Sequence, residues 1–473
     1  MRYREDDGRN AARAKGRLVN RMWSKALALA MAMAVMGGMA LGADEDPVDQ
    51  ALLPDLFVIM IDDHGYIDDE RVLKRLPAIN ESFLEGGLRF EQAYDETPLC
   101  CPARATVLSG QSTLHHGVLA NDGDDLDPTV SLATVLDAVG YYTILSGKYL
   151  TSYSGPKVPP GWDRVAMRKD KDVPSYWIDD VVVEYEGQHT DEVAAQMAVD
   201  WLREAPLDVP VFAYVTPSAP HREQCKGQGK SDEVRDCDYL PTVIEADQGA
   251  EVCAGIPDYR PPDYEIADDG QRAPWGMPDW PDGWPLQKIC ESLLVIDRMV
   301  AQLVEIQAQR DRPAWFVFLS DNGMSWGRKS FPLKHVPTAT RIPFYVAGPG
   351  LEPGSTDVLI SNIDLAPTLA ALAGTEIPIA DGTSFLPLLQ GSAFEGRSEV
   401  LEIMPANEGR AYAGWEALRT PEWRYIRWED GREELYDLVA DPDELVDLAA
   451  GQPDRVASMS ERLDVLLIES AGP

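Results

Sequence analysis

Four apolar runs of strand length recur along the chain, and they constrain the fold more than any other feature of the sequence. They occupy residues 56–61, 211–216, 315–320 and 344–347, and each is bounded by polar or turn-forming residues. Continuous apolar runs of this length are typical of strands buried on both faces. Helical patterns lie between them, at residues 131–139, 192–204 and 289–308. Alternating strands and helices predict an α/β fold with a large, mainly parallel sheet sandwiched by helices.

Polar side chains follow three of these runs. Asp62 and Asp63 follow the first run, and Asp321 and Asn322 follow the third. His221 comes shortly after the second run. Ligands bind beyond the carboxyl ends of the strands in such sheets, so we expect these side chains to share one site. Carboxylate and amide oxygens suit Ca²⁺ or Mg²⁺, although turns also favour Asp and Asn.

A short cysteine motif gives the sharpest functional signal. Residues 99–104 read Leu-Cys-Cys-Pro-Ala-Arg and open an apolar segment. The Cys-x-Pro-x-Arg pattern resembles the signature of the type I sulfatases. In that family the first cysteine, here Cys100, is oxidised to Cα-formylglycine by a formylglycine-generating enzyme. The hydrated aldehyde attacks sulfur, and its second hydroxyl then expels sulfate from the formylglycine-sulfate intermediate. The alternative is a pair of buried structural cysteines.

The resemblance extends over about residues 52 to 450, with the motifs in the family's order. It is closest in motif style to the glucosamine-6-sulfatase branch. It implies an alkaline-phosphatase-like α/β fold with a small C-terminal antiparallel-sheet subdomain. It also implies one Ca²⁺, with Mg²⁺ as the alternative, and the implied ligands are Asp62, Asp63, Cys100, Asp321 and Asn322.

The resemblance further implies roles for four basic residues. Arg104 matches the arginine that stabilises the formylglycine hydroxyl, and Lys148 of a Gly-Lys motif matches a lysine that contacts nucleophile and substrate. His221 matches a histidine that binds sulfate and protonates the leaving oxygen. Lys334 matches a sulfate-binding lysine. Its interval to the next motif is shorter than usual, so Lys329 is the alternative.

One expected histidine is missing, and another takes its place in the prediction. Residues 109–118 resemble the family's Thr-Gly-x-x-Pro-x-x-His-Gly segment, which aligns His116 with the last histidine. Many arylsulfatases also carry a histidine two residues after the Gly-Lys lysine, where this chain has Leu150. We therefore take His116 as the candidate base for aldehyde regeneration. A hydrogen-bonded structural histidine is the alternative.

The N-terminus has the composition of a targeting segment. Eight basic residues precede an apolar run at 26–41 that ends in Ala-Leu-Gly-Ala. This pattern predicts a signal peptide at 1–43, and hence a secreted or periplasmic protein with no stable membrane span after cleavage. Met22 as the true start and an uncleaved N-terminal anchor are the alternatives. We predict a catalytic domain at 44–365 and a C-terminal subdomain at 366–473.

Residues 223–287 are rich in Pro, Trp, Asp and Gly, and this composition predicts an irregular insertion near the site entrance. A surface excursion that is tied by disulfides and has no function is the alternative. Four cysteines lie in or beside it: Cys225, Cys237, Cys253 and Cys290. In an exported chain they predict two disulfides, with three pairings open.

The charge balance narrows the function. The chain has a formal net charge of −37, and loss of residues 1–43 would make it more acidic. Such a surface argues against nucleic acid and anionic membranes as partners and favours a small sulfate ester as substrate. We therefore predict a Ca²⁺-dependent sulfatase that cleaves a sulfate monoester, as an arylsulfatase or a sugar sulfatase. The alternatives are a phosphate or phosphonate ester hydrolase on the same scaffold and a binding protein with an unmodified Cys100.

Overall fold

The computed structural model describes residues 53–170, 174–222, 239–264, 280–331, 333–405 and 413–472. The predicted signal peptide lies outside the described residues. Within them, no helix is both long enough and apolar enough to cross a membrane.

The strands of the described residues form two sheets. The large sheet contains β1 (Asp55–Ile61), β2 (Leu88–Tyr94), β3 (Tyr142–Gly147), β4 (Arg164–Asp170), β5 (Ser175–Ile178), β6 (Val181–Glu184), β7 (Val211–Thr216), β8 (Ala314–Ser320), β9 (Phe344–Ala347) and β10 (Gly354–Ser361). The small sheet contains β11 (Val400–Met404), β12 (Trp415–Arg419), β13 (Trp423–Trp428) and β14 (Glu433–Asp437).

Helices in the same residues connect these strands. They are α1 (Pro77–Ile79, continued by a π-helix at Asn80–Glu85), α2 (Cys100–Ser109), α3 (Thr113–His116), α4 (Leu132–Ala138), α5 (Thr190–Glu204), α6 (Leu286–Gln307), α7 (Leu365–Leu372), α8 (Leu386–Leu389) and α9 (Pro453–Glu469). Short 3₁₀ turns lie at Leu73–Arg75, Gly123–Asp125, Glu245–Asp247, Glu251–Cys253, Pro337–Ala339, Asn362–Asp364 and Ala449–Gly451.

The centre of the large sheet is parallel, as the alternating pattern predicted. Its strand order is β10-β2-β9-β8-β1-β7-β3-β4-β5-β6, and the five strands from β8 to β4 run parallel. Both margins contain antiparallel pairs. The predicted strand at Phe344–Ala347, β9, pairs with β8 in the antiparallel direction. Among the described residues, only a 3₁₀ turn lies between the two strands, and a parallel pair would need a crossover helix to return the chain to the other end of β8.

Strand β1 is buried on both faces, and its alternate residues define two cores. Phe57, Ile59 and Ile61 pack in one core with α5 and α6. The residues between them pack in the other core with α2, α4 and α7. This arrangement explains why the strand is apolar throughout, since neither face meets water.

The small sheet is an antiparallel meander covered on one face by α9, as the resemblance implied. Its side chains also reach the loop that follows β8. Arg424 donates to the Pro337 carbonyl at 2.6 Å, and Trp415 Nε1 donates to the His335 carbonyl at 3.0 Å. The small sheet therefore holds the loop that carries Lys334. The predicted domain boundaries stay predictions.

One predicted disulfide lies within the described residues. It joins Cys253 to Cys290 of α6, which are 37 residues apart in the sequence. Cys225 and Cys237 lie outside the described residues. Where the structure describes the predicted insertion, it contains two 3₁₀ turns and an isolated bridge between Tyr259 and Trp284.

Candidate active site

The carboxyl ends of four adjacent parallel strands bring the predicted residues together. Strands β8, β1, β7 and β3 lie side by side, so the residues after them emerge at one edge. Asp62 and Asp63 follow β1, and Asp321 and Asn322 follow β8. Lys148 directly follows β3.

Cys100 reaches the same edge as the first residue of α2. Leu99 precedes the helix with an extended backbone, φ −151° and ψ 133°. Pro102 lies in the first turn, where its missing N–H removes no bond of the helix. Gly110, at φ 68°, ends the helix in the left-handed conformation that glycine favours. Every residue of α2 is buried, so Cys100 is fixed at the positive end of a helix dipole.

Potential ligand atoms converge next to this thiol. The donor atoms of Asp62, Asp63, Cys100 and His221 all lie within 4.8 Å of one another. Asn322 joins them, because its Nδ2 donates to Asp63 Oδ1 at 2.8 Å. The backbone amides of Asp63 and Asn322 donate to Asp321 Oδ1 at 3.1 and 2.8 Å, which ties the two strand exits together.

Three basic side chains neutralise this cluster. Lys148 Nζ donates to Asp62 Oδ2 at 2.5 Å. Lys334 Nζ donates to Asp63 Oδ1, to Cys100 Sγ at 2.8 Å and to Asn322 Oδ1 at 3.2 Å. Arg104, with no exposed surface, donates from Nε to Asp321 Oδ2 at 2.8 Å and from a terminal nitrogen to the Lys148 carbonyl at 2.7 Å.

These charges fix the protonation of the carboxylates. Burial alone would raise the pKa of Asp62, but Lys148 and the other basic groups outweigh it and hold that pKa well below its usual value. Burial acts in the same way on Asp63, where Lys334 and His221 lower the pKa to about 2. Burial and the neighbouring Asp62 instead raise the pKa of Asp321. Asp62 and Asp63 are therefore ionised at neutral pH.

The structure places the two candidate lysines in different surroundings. Lys334 lies against Cys100, as described above. Lys329 instead turns to the small sheet, where its Nζ bonds Glu434 at 3.1 Å and the Tyr436 hydroxyl at 2.6 Å. The shortened interval in the sequence therefore does not move Lys334 out of the cluster.

His221 presents one nitrogen to the cluster and binds the backbone with the other. Its Nε2 lies 3.5 Å from Asp63 Oδ2. Its Nδ1 lies 2.7 Å from the Arg222 carbonyl, which fixes the proton on Nδ1. Burial lowers the pKa of His221 to about 4, so the ring is neutral in the free protein at neutral pH.

His116 lies apart from these contacts, on the side of α2. Its Nδ1 accepts from the Val118 amide at 3.1 Å, and its Nε2 lies 3.0 Å from the Thr106 hydroxyl. Burial lowers its pKa to about 3. Among the described residues, both ring nitrogens are thus engaged by α2 and the turn after α3, and no contact joins His116 to Cys100.

A cavity of about 600 Å³ opens in front of Cys100. Lys148 and His221, which lie close to Cys100, line it at this inner end. Its lining also includes residues that the sequence did not single out: Asn121, Tyr153, Arg168, Lys169 and Trp177. They come from loops and from the β4–β5 pair, and no motif marks them.

Comparisons with known proteins agree with this geometry. The family model described as Sulfatase matches residues 54–375, and the model described as N-sulphoglucosamine sulphohydrolase, C-terminal, matches residues 334–469. The "Extracellular sulfatase SULF-1 homolog" of Drosophila melanogaster is 27% identical over 373 residues, which cover 71% of this chain. The chain spans only 31% of that protein's length.

A second relative aligns over most of both chains. The N-acetylglucosamine-6-sulfatase of Capra hircus is 25% identical over 492 residues, covering 89% of this chain and 84% of that protein. A solved structure of a protein in complex with its substrate D-glucosamine-2-N,6-O-disulfate shares the fold, with a TM-score of 0.67 and 17% identity over 88% of this chain and 98% of that chain. Since the family model matches more than half of the sequence, the chain belongs to the sulfatase family of the alkaline-phosphatase-like superfamily and is a sulfuric ester hydrolase.

Proposed function

We propose that the protein hydrolyses a sulfate monoester with residue 100, as Cα-formylglycine, as its nucleophile and Ca²⁺ as its metal. The position of Cys100 carries the proposal. Its Sγ lies 2.8 Å from Lys334 Nζ and 3.7 Å from Asp62 Oδ1, at the inner end of the cavity. A group at this position meets both the basic side chains and an entering ester.

The protonation state of the thiol supports the modified residue. Burial raises the pKa of Cys100 to about 12, despite the nearby charges of Lys148 and Lys334. A thiol with this pKa is protonated at neutral pH, and the thiolate is the nucleophilic form. The hydrated aldehyde needs no thiolate, and its second hydroxyl gives the release step a route.

The donor atoms support a calcium site. Asp62, Asp63, Asp321 and Asn322 offer carboxylate and amide oxygens, which Ca²⁺ prefers and Mg²⁺ also accepts. The low pKa values of Asp62 and Asp63 keep those oxygens available at neutral pH. When bound, the ion would supply a Lewis acid and a fixed template for a sulfate oxygen.

The basic residues have two roles, stabilisation of the sulfate charge and positioning of other residues. The Nζ atoms of Lys148 and Lys334 both lie at the cluster, where they stabilise negative charge that shifts onto sulfate oxygens. Arg104 is fully buried and bonds Asp321 and the Lys148 carbonyl. Its role is therefore to position these two residues and to balance the charge of Asp321.

His221 is the candidate acid for the leaving oxygen. The neutral ring carries its proton on Nδ1, so Nε2 faces the cavity as an acceptor. An anionic ester beside the ring, together with Asp63, favours protonation of Nε2. Substrate binding thus favours the protonated Nε2, which can transfer its proton to the departing alkoxide.

The base for aldehyde regeneration is a separate question. The contacts of His116 with Thr106 and Val118 support a role in holding α2 against α3. The role as base, for which we took His116 as the candidate from the sequence, requires the ring to act at residue 100, and it remains a proposal that mutation tests.

The relatives suggest the biological setting. The name of the Capra hircus relative and the ligand in the solved structure support a sulfated sugar as substrate. The composition of residues 1–43 supports export, and the Drosophila relative is named as extracellular. A formylglycine-generating enzyme is the partner that the modified residue requires.

Two esters of one aryl alcohol test the proposed reaction. The protein, expressed with a formylglycine-generating enzyme, is assayed on the sulfate and the phosphate monoester of the same phenol. We expect a higher kcat/KM for the sulfate ester. A higher kcat/KM for the phosphate ester would favour the phosphoesterase alternative, and Cys100→Ser serves as the inactive control.

A further inference from the structure

The cavity beside Cys100 is large enough to hold the organic half of a substrate as well as a sulfate group. Its volume of about 600 Å³ is in the range of pockets that bind small organic molecules. The inner end carries Cys100, Lys148 and His221. Five further lining residues form what we call the outer wall: Tyr153, Met167, Arg168, Lys169 and Trp177.

Two consecutive basic side chains line the cavity beside a β-bulge. Arg168 of β4 pairs with Tyr176 of β5, and Asp170 pairs with Ser175, so Lys169 is the extra residue between them. A bulge locally breaks the regular alternation of side chains along a strand. Arg168 and Lys169 both line the cavity, and so does Met167, which precedes the bulge in regular pairing with Trp177.

The two basic residues differ in depth. Arg168 is partly buried and donates to the Ser218 hydroxyl. The Ser218 carbonyl accepts from the His221 amide at 2.8 Å, so this contact places Arg168 near the inner end. The buried carboxylate of Asp191 accepts from the Ser218 amide at 2.5 Å and interacts electrostatically with Arg168. Lys169 is exposed and lies toward the mouth.

The outer wall also offers aromatic rings. Lys157 Nζ lies 5.8 Å from the Tyr153 ring centroid and 5.2 Å from the Trp177 ring centroid, which links the two side chains through cation–π contacts. Both rings are partly buried and line the cavity. Such faces suit a sugar or aryl ring.

The charge of this wall contrasts with the chain around it. A protein with a net charge of −37 repels anions over most of its surface. The outer wall adds Arg168 and Lys169 to the basic groups of the inner end. One sulfate group meets Lys148 and Lys334 in the proposed reaction. Arg168 and Lys169 line another part of the cavity, where they can meet a second anionic group.

We propose that the enzyme prefers sulfate esters whose ring carries a second anionic group, a sulfonate, sulfate or carboxylate, and that Arg168 and Lys169 bind this group. The inference rests on the proposed function, because it takes residue 100 as the reacting end of the cavity.

Three aryl sulfates test the preference. They are 3-carboxyphenyl sulfate, 3-sulfophenyl sulfate and the uncharged isostere 3-carbamoylphenyl sulfate. The measured quantity is the ratio of kcat/KM for each doubly charged ester to kcat/KM for the carbamoyl ester. Wild type is compared with Lys169→Met and with Lys288→Met, an exposed lysine of α6 outside the cavity. Because each ratio is compared between variants, differences between the leaving groups cancel.

We expect Lys169→Met to lower at least one ratio by about threefold or more, in keeping with an exposed charge pair. Lys288→Met should leave both ratios unchanged, and added salt should lower the wild-type ratio. A fall for one ester alone identifies the group that the wall binds. Equal ratios in wild type and Lys169→Met would overturn the inference while leaving the proposed function intact. Absence of turnover on all three esters in a preparation whose residue 100 is formylglycine would overturn the inference, because the cavity would then not accept a charged aryl ring, whereas turnover of a sulfated sugar by the same preparation would leave the proposed function intact.

Discussion

Replacement of Arg104 by methionine removes a guanidinium that lies fully buried among the carboxylates of the site. Breaking a buried ion pair by removing one partner costs about 3–5 kcal/mol. The expected cost lies at the lower end of this range, because three contacts of the neighbouring groups remain in the variant. The Lys148 carbonyl keeps its bond from Thr216 at 2.6 Å, Asp321 Oδ1 keeps two backbone amides, and Asp62 keeps Lys148. We therefore expect Arg104→Met to lower the free energy of unfolding by about 3 kcal/mol.

Urea unfolding at pH 8, followed by tryptophan fluorescence with EDTA in all samples, measures this loss. Arg427→Met is the matched control, because Arg427 is 29% exposed and pairs with Glu416 and Asp464 at the surface. Its loss should stay below about 1 kcal/mol. An equal loss in the two variants would refute the reasoning.

The pH dependence of the Arg104→Met loss has a defined sign. Burial already raises the pKa of Asp321, and removal of Arg104 raises it further. The uncompensated charge therefore destabilises the variant at high pH and is relieved by protonation as the pH falls. The difference in the free energy of unfolding between wild type and Arg104→Met should therefore become smaller as the pH falls from 8 to 5.

Four further predictions concern the reaction. Cys100→Ala should abolish turnover with folding intact. Cys101→Ala, which loses the sulfur contacts to the Thr151 amide at 3.0 Å and to the Thr151 carbonyl at 3.7 Å, should keep much of the activity; equal losses would show that the nucleophile is misassigned. Removal of metal should lower activity and the melting temperature together, and Ca²⁺ should restore both, whereas restoration by Zn²⁺ alone would point to a different site. His221→Ala should slow esters of weakly acidic alcohols most, because acidic phenols leave without a proton, and a uniform loss would contradict the acid role. His116→Asn should lower kcat/KM moderately and by a similar factor for all substrates. A burst of alcohol release, with accumulation of sulfated residue 100, would instead assign the base role to His116.

The parallel centre of the sheet could be predicted from the sequence, because a strand that is buried on both faces is a continuous apolar run. The runs at 56–61 and 211–216 are apolar throughout, and the polar residues after them mark where the strands end. Asp62, Asp63, Asp321 and Asn322 could be placed at one site for this reason. The antiparallel margins carry no comparable signal, and β9 shows that a short apolar run does not reveal its direction.

The contacts that complete the site depend on tertiary structure. Lys334 and Lys329 are both plausible by spacing, and the small sheet gives them different surroundings by binding Lys329 through Glu434. The motif that aligns His116 does not show that its ring turns to Thr106. The outer wall includes Lys169, the extra residue of a β-bulge, and strand propensity does not reveal where such a bulge occurs.

Mass spectrometry of the peptide that contains residue 100 tests the central claim most directly. The protein is produced with a formylglycine-generating enzyme, purified in active form and digested, and the modified fraction is compared with the specific activity of each preparation on an aryl sulfate. The account predicts the mass of Cα-formylglycine at residue 100, with Cys101 unchanged, and activity in proportion to that fraction. Full sulfatase activity in a preparation whose residue 100 is entirely cysteine would contradict it.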